Sequence, residues 1–217
     1  MSVSTSASAP AGDGSAAIAR RVGLIAVVGL ATGALTQVGQ SVLPDGWSQA
    51  ANAMSPWLLV AFLLGAAMPD RRWAAVAGVA ALILSLVGYY LMIELRYGYG
   101  GSRGSLLLWG TGALIGGTVF GIAGHWWRQG RPWQVAAAIG LLAAVFVAEG
   151  AYQVRIQPDA AIGLGFVVVG LVIPLVFGRS RGERLRGYAA MLPALALGAL
   201  GFIALIAFAN LTAGVSG

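Results

Sequence analysis

The stretch from Gln134 to Gln153, QVAAAIGLLAAVFVAEGAYQ, decides how this chain is read. No side chain from Val135 to Ala148 is polar, and then comes a carboxylate, Glu149. A helical rise of about 1.5 Å per residue puts Glu149 roughly 24 Å beyond Trp133, in the far third of a hydrocarbon core about 30 Å thick. A carboxylate at that depth is costly, and it turns toward protein, cavity water or a ligand rather than lipid. The other helices are expected to form a cage around that end of this one.

Composition sets the class. Charged residues make up 9% of the 217, hydrophobic residues 59%, and the mean hydropathy is +0.83. Soluble domains carry about 25% charge, so this chain cannot cover a water-facing surface. It reads as an integral membrane protein. A net charge of +6 suggests nucleic acid in a soluble protein, but here the arginines fall in short loops, where topology explains them and no nucleic acid is expected.

Three absences narrow the chemistry. Without Cys there are no disulfides, thiol catalysis or sulfur-ligated metals. All 13 basic residues are Arg, which excludes a lysine Schiff base. A single His, His125, cannot build a bis-His haem or a multi-His zinc site. No cofactor and no metal are expected.

Residues 1–19, MSVSTSASAPAGDGSAAIA, are small and polar and read as a disordered tail, followed by one transmembrane domain over 20–217. Arg20 and Arg21 precede an apolar run from Val22 to about Gln40. Further spans are expected at about 50–68, 73–95, 105–127, 134–153, 160–178 and 189–211, giving an all-α bundle of seven transmembrane helices. The second is short if it starts at Pro56, so it is expected to begin near Ala50 and carry Pro56 as a kink.

With the N-terminus inside and the C-terminus outside, the inner loops hold Arg20, Arg21, Arg71, Arg72, Arg128, Arg131, Arg179, Arg181, Arg184 and Arg186. The outer loops hold only Arg96, Arg103 and Arg155, as the positive-inside rule requires. The fourth span carries Gly112, Gly116, Gly117, Gly121 and Gly124, small-residue faces that suit a central, tightly packed helix. Gly29 and Gly33 repeat the spacing once in the first span.

Polarity at depth is lopsided. Gln37 and Gln40 lie on one face of the first helix, Tyr90 and Glu94 near the outer end of the third, and Glu149, Tyr152 and Gln153 on the fifth. Asn210 lies near the outer end of the seventh, and the first loop adds Asp45, Trp47 and Asn52. One reading is a substrate-binding pocket open to the outside, lined by Glu149, Gln37, Gln40, Tyr90, Glu94, Tyr152 and Asn210 and suited to a cation or amine. The other is helix pairing by hydrogen bonds of about 0.6–2 kcal/mol each. No Ser/His/Asp set is available, and the loop YGYGGSRGS (97–105) lacks the Lys of a P-loop.

The segments LPDGWSQAANAMSPWLLVAFLLGA (43–66), GYY (88–90), GGTVFGIAG (116–124) and FVAEG (146–150) resemble a family of small actinobacterial integral membrane proteins without an assigned function. That resemblance implies a multi-span protein of the plasma membrane and nothing about substrate. A looser similarity, in size and outward polar pocket, is to the substrate-capture subunits of energy-coupling-factor vitamin transporters. Those usually have six spans and a small-residue coupling motif in the first helix. Binding or translocation of a small solute is the leading expectation. The alternative is a structural or accessory membrane subunit, and an intramembrane enzyme comes third. The expected partners are the lipid bilayer, a small solute and a further membrane subunit.

Overall fold

A computed structural model describes the backbone of residues 12–44, 46–100, 102–156 and 160–215, and the side chains of 15–44, 46–100, 102–155 and 160–200. Every regular element among them is a helix: α1 (Gly12–Val42), α2 (Trp47–Ala51), α3 (Met54–Ala66), α4 (Arg71–Tyr97), α5 (Arg103–Gln129), α6 (Pro132–Ile156), α7 (Ala160–Phe177) and α8 (Arg181–Val215). Among the described residues 6 candidate spans are long and apolar enough to cross a membrane, α2 and α3 together making one of them. The seventh expected span, 189–211, falls on α8, whose side chains past residue 200 lie outside the described residues. Helix α1 starts at Gly12, inside the segment read as a disordered tail, and residues 1–11 lie outside the described residues.

The helix ends follow local chemistry. Asp70 caps α4, one carboxylate oxygen accepting the N–H groups of Arg72 and Trp73. Gly98 ends the same helix in the left-handed region, at φ 70°, and donates its N–H to the Glu94 carbonyl. The Ser102 hydroxyl accepts the Ser105 N–H at the start of α5. At the start of α8, Ser180 accepts the Glu183 N–H while the Glu183 carboxylate accepts the Arg179 N–H, a reciprocal cap.

The second span differs from expectation. Pro56 does not kink a continuous helix. The chain leaves α2 at Asn52 and Ala53, and a new helix starts at Met54, so Pro56 occupies the first turn of α3. Proline is tolerated there because the amide it lacks has no partner within the helix.

Glycines set the packing. A Cβ on Gly33 would overlap the Ser85 carbonyl, and one on Gly88 the Leu30 carbonyl, so α1 and α4 meet backbone to backbone. Gly117 and Gly121 do the same against α4, and Gly124 against the Phe62 carbonyl of α3. Gly112 faces open space, so the glycine run in α5 packs along only part of its length. Helices α1, α3, α4 and α5 form one group, and α6, α7 and α8 a second, joined where α6 meets α5 and α3. The glycine spacing points to α5 as the central helix, but α6 is the hub, packing on α5, α7 and α8 and more deeply buried than α5. Phe62, Ile139 and Leu142, all wholly buried, mark the core between the two groups. The alternating helix directions gather Arg20, Arg71, Arg131 and Arg179 at one end of the bundle, with Glu149 toward the other.

Candidate functional site

The break between α2 and α3 creates the chemistry of the Glu149 end. A helix start leaves amide N–H groups without intrahelical acceptors, and where the surroundings are apolar no bulk water replaces them. Side-chain capping is absent here, since the N-cap residue is Ala53. The acceptors come from another helix. On α6, Glu149 Oε1 accepts the Met54 N–H at 2.7 Å and Oε2 accepts the Ser55 N–H at 2.6 Å. These are charge-assisted bonds at the positive end of a helix dipole. The carboxylate faces protein rather than lipid, and its partners are backbone groups of the second span rather than polar side chains of the first or third.

Beside this joint, side chains from three helices close a ring. Thr36 Oγ1 on α1 accepts the Trp57 Nε1–H of α3 at 3.0 Å. The Trp57 ring packs edge-on against Tyr89 of α4, centroids 6.2 Å apart. The Tyr89 hydroxyl lies by Gln40, one turn along α1 from Thr36. Gln37, only 6% exposed, stands next to Thr36. Two buried oxygens in this region have no hydrogen-bond partner among the described residues, Gln40 Oε1 and Ser55 Oγ.

The other expected site residues are spread out. Tyr90 turns to α5, its hydroxyl 2.8 Å from Ser105 Oγ. Glu94 is exposed at the end of α4, and Tyr152 is exposed on α6, whereas its neighbour Gln153 is buried. The side chain of Asn210 and the whole of Asp45 lie outside the described residues. So the structure brings Glu149 to Met54 and Ser55, and Gln37 and Gln40 to Thr36, Trp57 and Tyr89, but it does not place Tyr90, Glu94 or Tyr152 with them. Thr36, Ser55, Trp57 and Tyr89 escaped the sequence reading. The signal that could have found Ser55 is the Ser55-Pro56 pair after a polar loop, a helix-start pattern.

No group of three or more His, Cys, Asp or Glu able to hold a metal occurs among the described residues. Two clefts of note lie at the arginine-rich end, one beside Arg21 and Trp73 and one beside Arg71 and Arg131.

Six stretches long and apolar enough to cross a membrane, one of them interrupted at a break capped by a carboxylate, mark a multi-pass helical membrane protein. The chain belongs to the DUF6518 family, a family of unknown function whose model matches residues 13–208. No curated protein and no solved structure matches it.

Proposed function

We propose that the chain is a seven-span plasma-membrane protein, N-terminus inside, that binds a small donor-bearing solute, a cation or amine, around the α2–α3 break. The observation that carries this reading is the pair of buried oxygens without partners, Gln40 Oε1 and Ser55 Oγ, near a carboxylate-capped helix break. Buried polar atoms are nearly always bonded, and those left over in a native protein call for an explanation. Interrupted helices at membrane depth are a recurring way to expose backbone and polar groups to a solute. Gln40 Oε1 is an acceptor and the Ser55 hydroxyl accepts as well as donates, and with a carboxylate close by they suit a donor-bearing, cationic partner. Orientation rests on the ten arginines at one end against three toward the other.

A second reading, a structural or accessory subunit, draws on one specific fact: both Glu149 oxygens are already engaged by backbone amides. The two readings part in a thermal-unfolding screen of purified protein against small cations, amines and zwitterions. Under the binding reading, some compound stabilises the wild type and fails to stabilise Gln40→Leu or Ser55→Ala, neither of which removes a bond to Glu149. If no compound in any of these classes gives a variant-sensitive shift, the binding reading falls and the structural one stands.

A further inference from the structure

At the arginine-rich end, the start of α4, the end of α5 and the turn into α6 enclose a cleft of about 370 Å³, lined by Arg71, His125, Trp126, Gln129, Arg131 and Gln134 together with Gly130. Its volume falls within the range of small-molecule sites, roughly 300–1,000 Å³. The glutamate break and its polar ring lie at the other end of the molecule, so this cleft is separate from the site above.

The hydrogen-bonding capacity of the walls is one-sided. The Met68 carbonyl faces His125 Nδ1 and Gln129 Nε2, each at 3.4 Å. The Trp126 carbonyl accepts the Gly130 N–H at 2.8 Å. Gln134 Oε1 accepts the Arg131 N–H at 2.8 Å. Asp70, the carboxylate adjoining Arg71 in the chain, is turned onto the N–H groups of Arg72 and Trp73. The Met68 and Trp126 carbonyls, the Gln134 amide oxygen and the Asp70 carboxylate are thus already engaged.

The donors are not. Arg71 and Arg131 form no ion pair among the described residues, where the ion pair present is Arg179–Glu183. The indole N–H of Trp126 is buried and has no partner among the described residues. The Gln134 amide nitrogen is left over once its oxygen has bound Arg131. Two guanidiniums with uncommitted N–H groups around one opening fit an oxyanion with several acceptor oxygens, and Arg presents its donors in the fork geometry that phosphate matches. Trp126 and Trp133, ring centroids 5.5 Å apart, give this rim the amphipathic aromatic character of a bilayer interface. Basic pockets between spanning helices hold lipid phosphates in this way.

We propose that the cleft between the α4 start and the α5–α6 turn binds a phosphate group through Arg71 and Arg131, with the Trp126 N–H as an auxiliary donor. The phosphate is carried by an anionic phospholipid or arrives as a free anion.

The test uses full-length protein in nanodiscs of phosphatidylcholine, with and without phosphatidylglycerol, and, where phosphatidylglycerol is absent, with added inorganic phosphate at matched ionic strength. Thermal unfolding and lipid retention by native mass spectrometry are read. A lipid source predicts retained phosphatidylglycerol and a higher midpoint, and a free anion predicts a midpoint rise with inorganic phosphate alone. In either case the double variant Arg71→Gln/Arg131→Gln should lower apparent affinity about tenfold or more, and Trp126→Phe, which keeps the wall and removes the donor, should lower it less. Arg181→Gln/Arg186→Gln, at the same end and away from the cleft, should change it little. An equal loss in that control would reveal diffuse surface charge and overturn the site, as would the absence of any phosphate-dependent shift in the wild type. If the double arginine variant does not fold, unchanged affinity in both Arg71→Gln and Arg131→Gln single variants overturns it as well.

Discussion

Glu149 and Ser55, 94 positions apart in the chain, are joined at 2.6 Å, the carboxylate of α6 accepting the second amide of α3. The bond stitches the α1–α3–α4–α5 group to the α6–α7–α8 group at the point where the second span is broken. A helix cap is ordinarily supplied by the residue just ahead of the helix. Here Ala53 cannot supply it, so a charged side chain from another part of the bundle does.

The first prediction follows from that geometry. In Glu149→Gln one acceptor oxygen becomes an NH₂ that meets the Met54 or Ser55 N–H head-on. The loss should be about 1.5–3 kcal/mol, the range for a hydrogen bond to a charged group. Thermal unfolding in detergent reads it, and a midpoint equal to wild type would remove the cap from the account of stability.

Ser55→Ala makes the opposite prediction at the neighbouring atom. The Ser55 hydroxyl is buried without a partner, so deleting it sacrifices no bond while its backbone N–H still reaches Glu149. Stability should hold or rise, because an unsatisfied buried hydroxyl costs about 1–3 kcal/mol. A clear fall in the unfolding midpoint would mean that the hydroxyl has a partner in the folded protein.

Glycine positions give a contrast within one helix. Gly121→Ala puts a methyl against the Ala74 carbonyl and should cost about 1–3 kcal/mol through forced backbone movement. Gly112→Ala meets open space and should be neutral or gain about 0.5–1 kcal/mol from helix propensity. Equal effects from the two substitutions would contradict the packing of α5 against α4.

Orientation is tested by tags on intact cells. Ten arginines at one end predict a C-terminal tag reachable from outside and an N-terminal tag that is protected. A protected C-terminal tag would mean that the chain does not finish with a seventh crossing.

Much of this architecture is legible in the sequence, because a long apolar run has few alternatives to a spanning helix. Its loss of legibility at the second span has a physical cause. Pro56 is compatible with a kinked helix and with the first turn of a new one, and only the tertiary position of Glu149 selects the latter. The depth of Glu149 could be counted residue by residue, but its partners could not be named. They are backbone amides, which every residue except proline carries, so no residue type marks them. The four-residue glycine spacing in α5 announced close packing without saying that Gly124 takes part and Gly112 does not. Glu94 and Tyr152 share with the site only their height along the helices, and height does not determine which way a side chain points.

The separation of 95 residues between Met54 and Glu149 also has a meaning in time. A ribosome releases the second span long before it makes α6, and that span is the least apolar of the six candidates. Until Glu149 emerges, the first amides of α3 have no acceptor from the chain itself. An early span whose first amides gain this acceptor only from a later helix is expected to settle in the bilayer in two stages. Nascent chains ended before and after Glu149 should then differ in how deeply residues 47–66 are embedded.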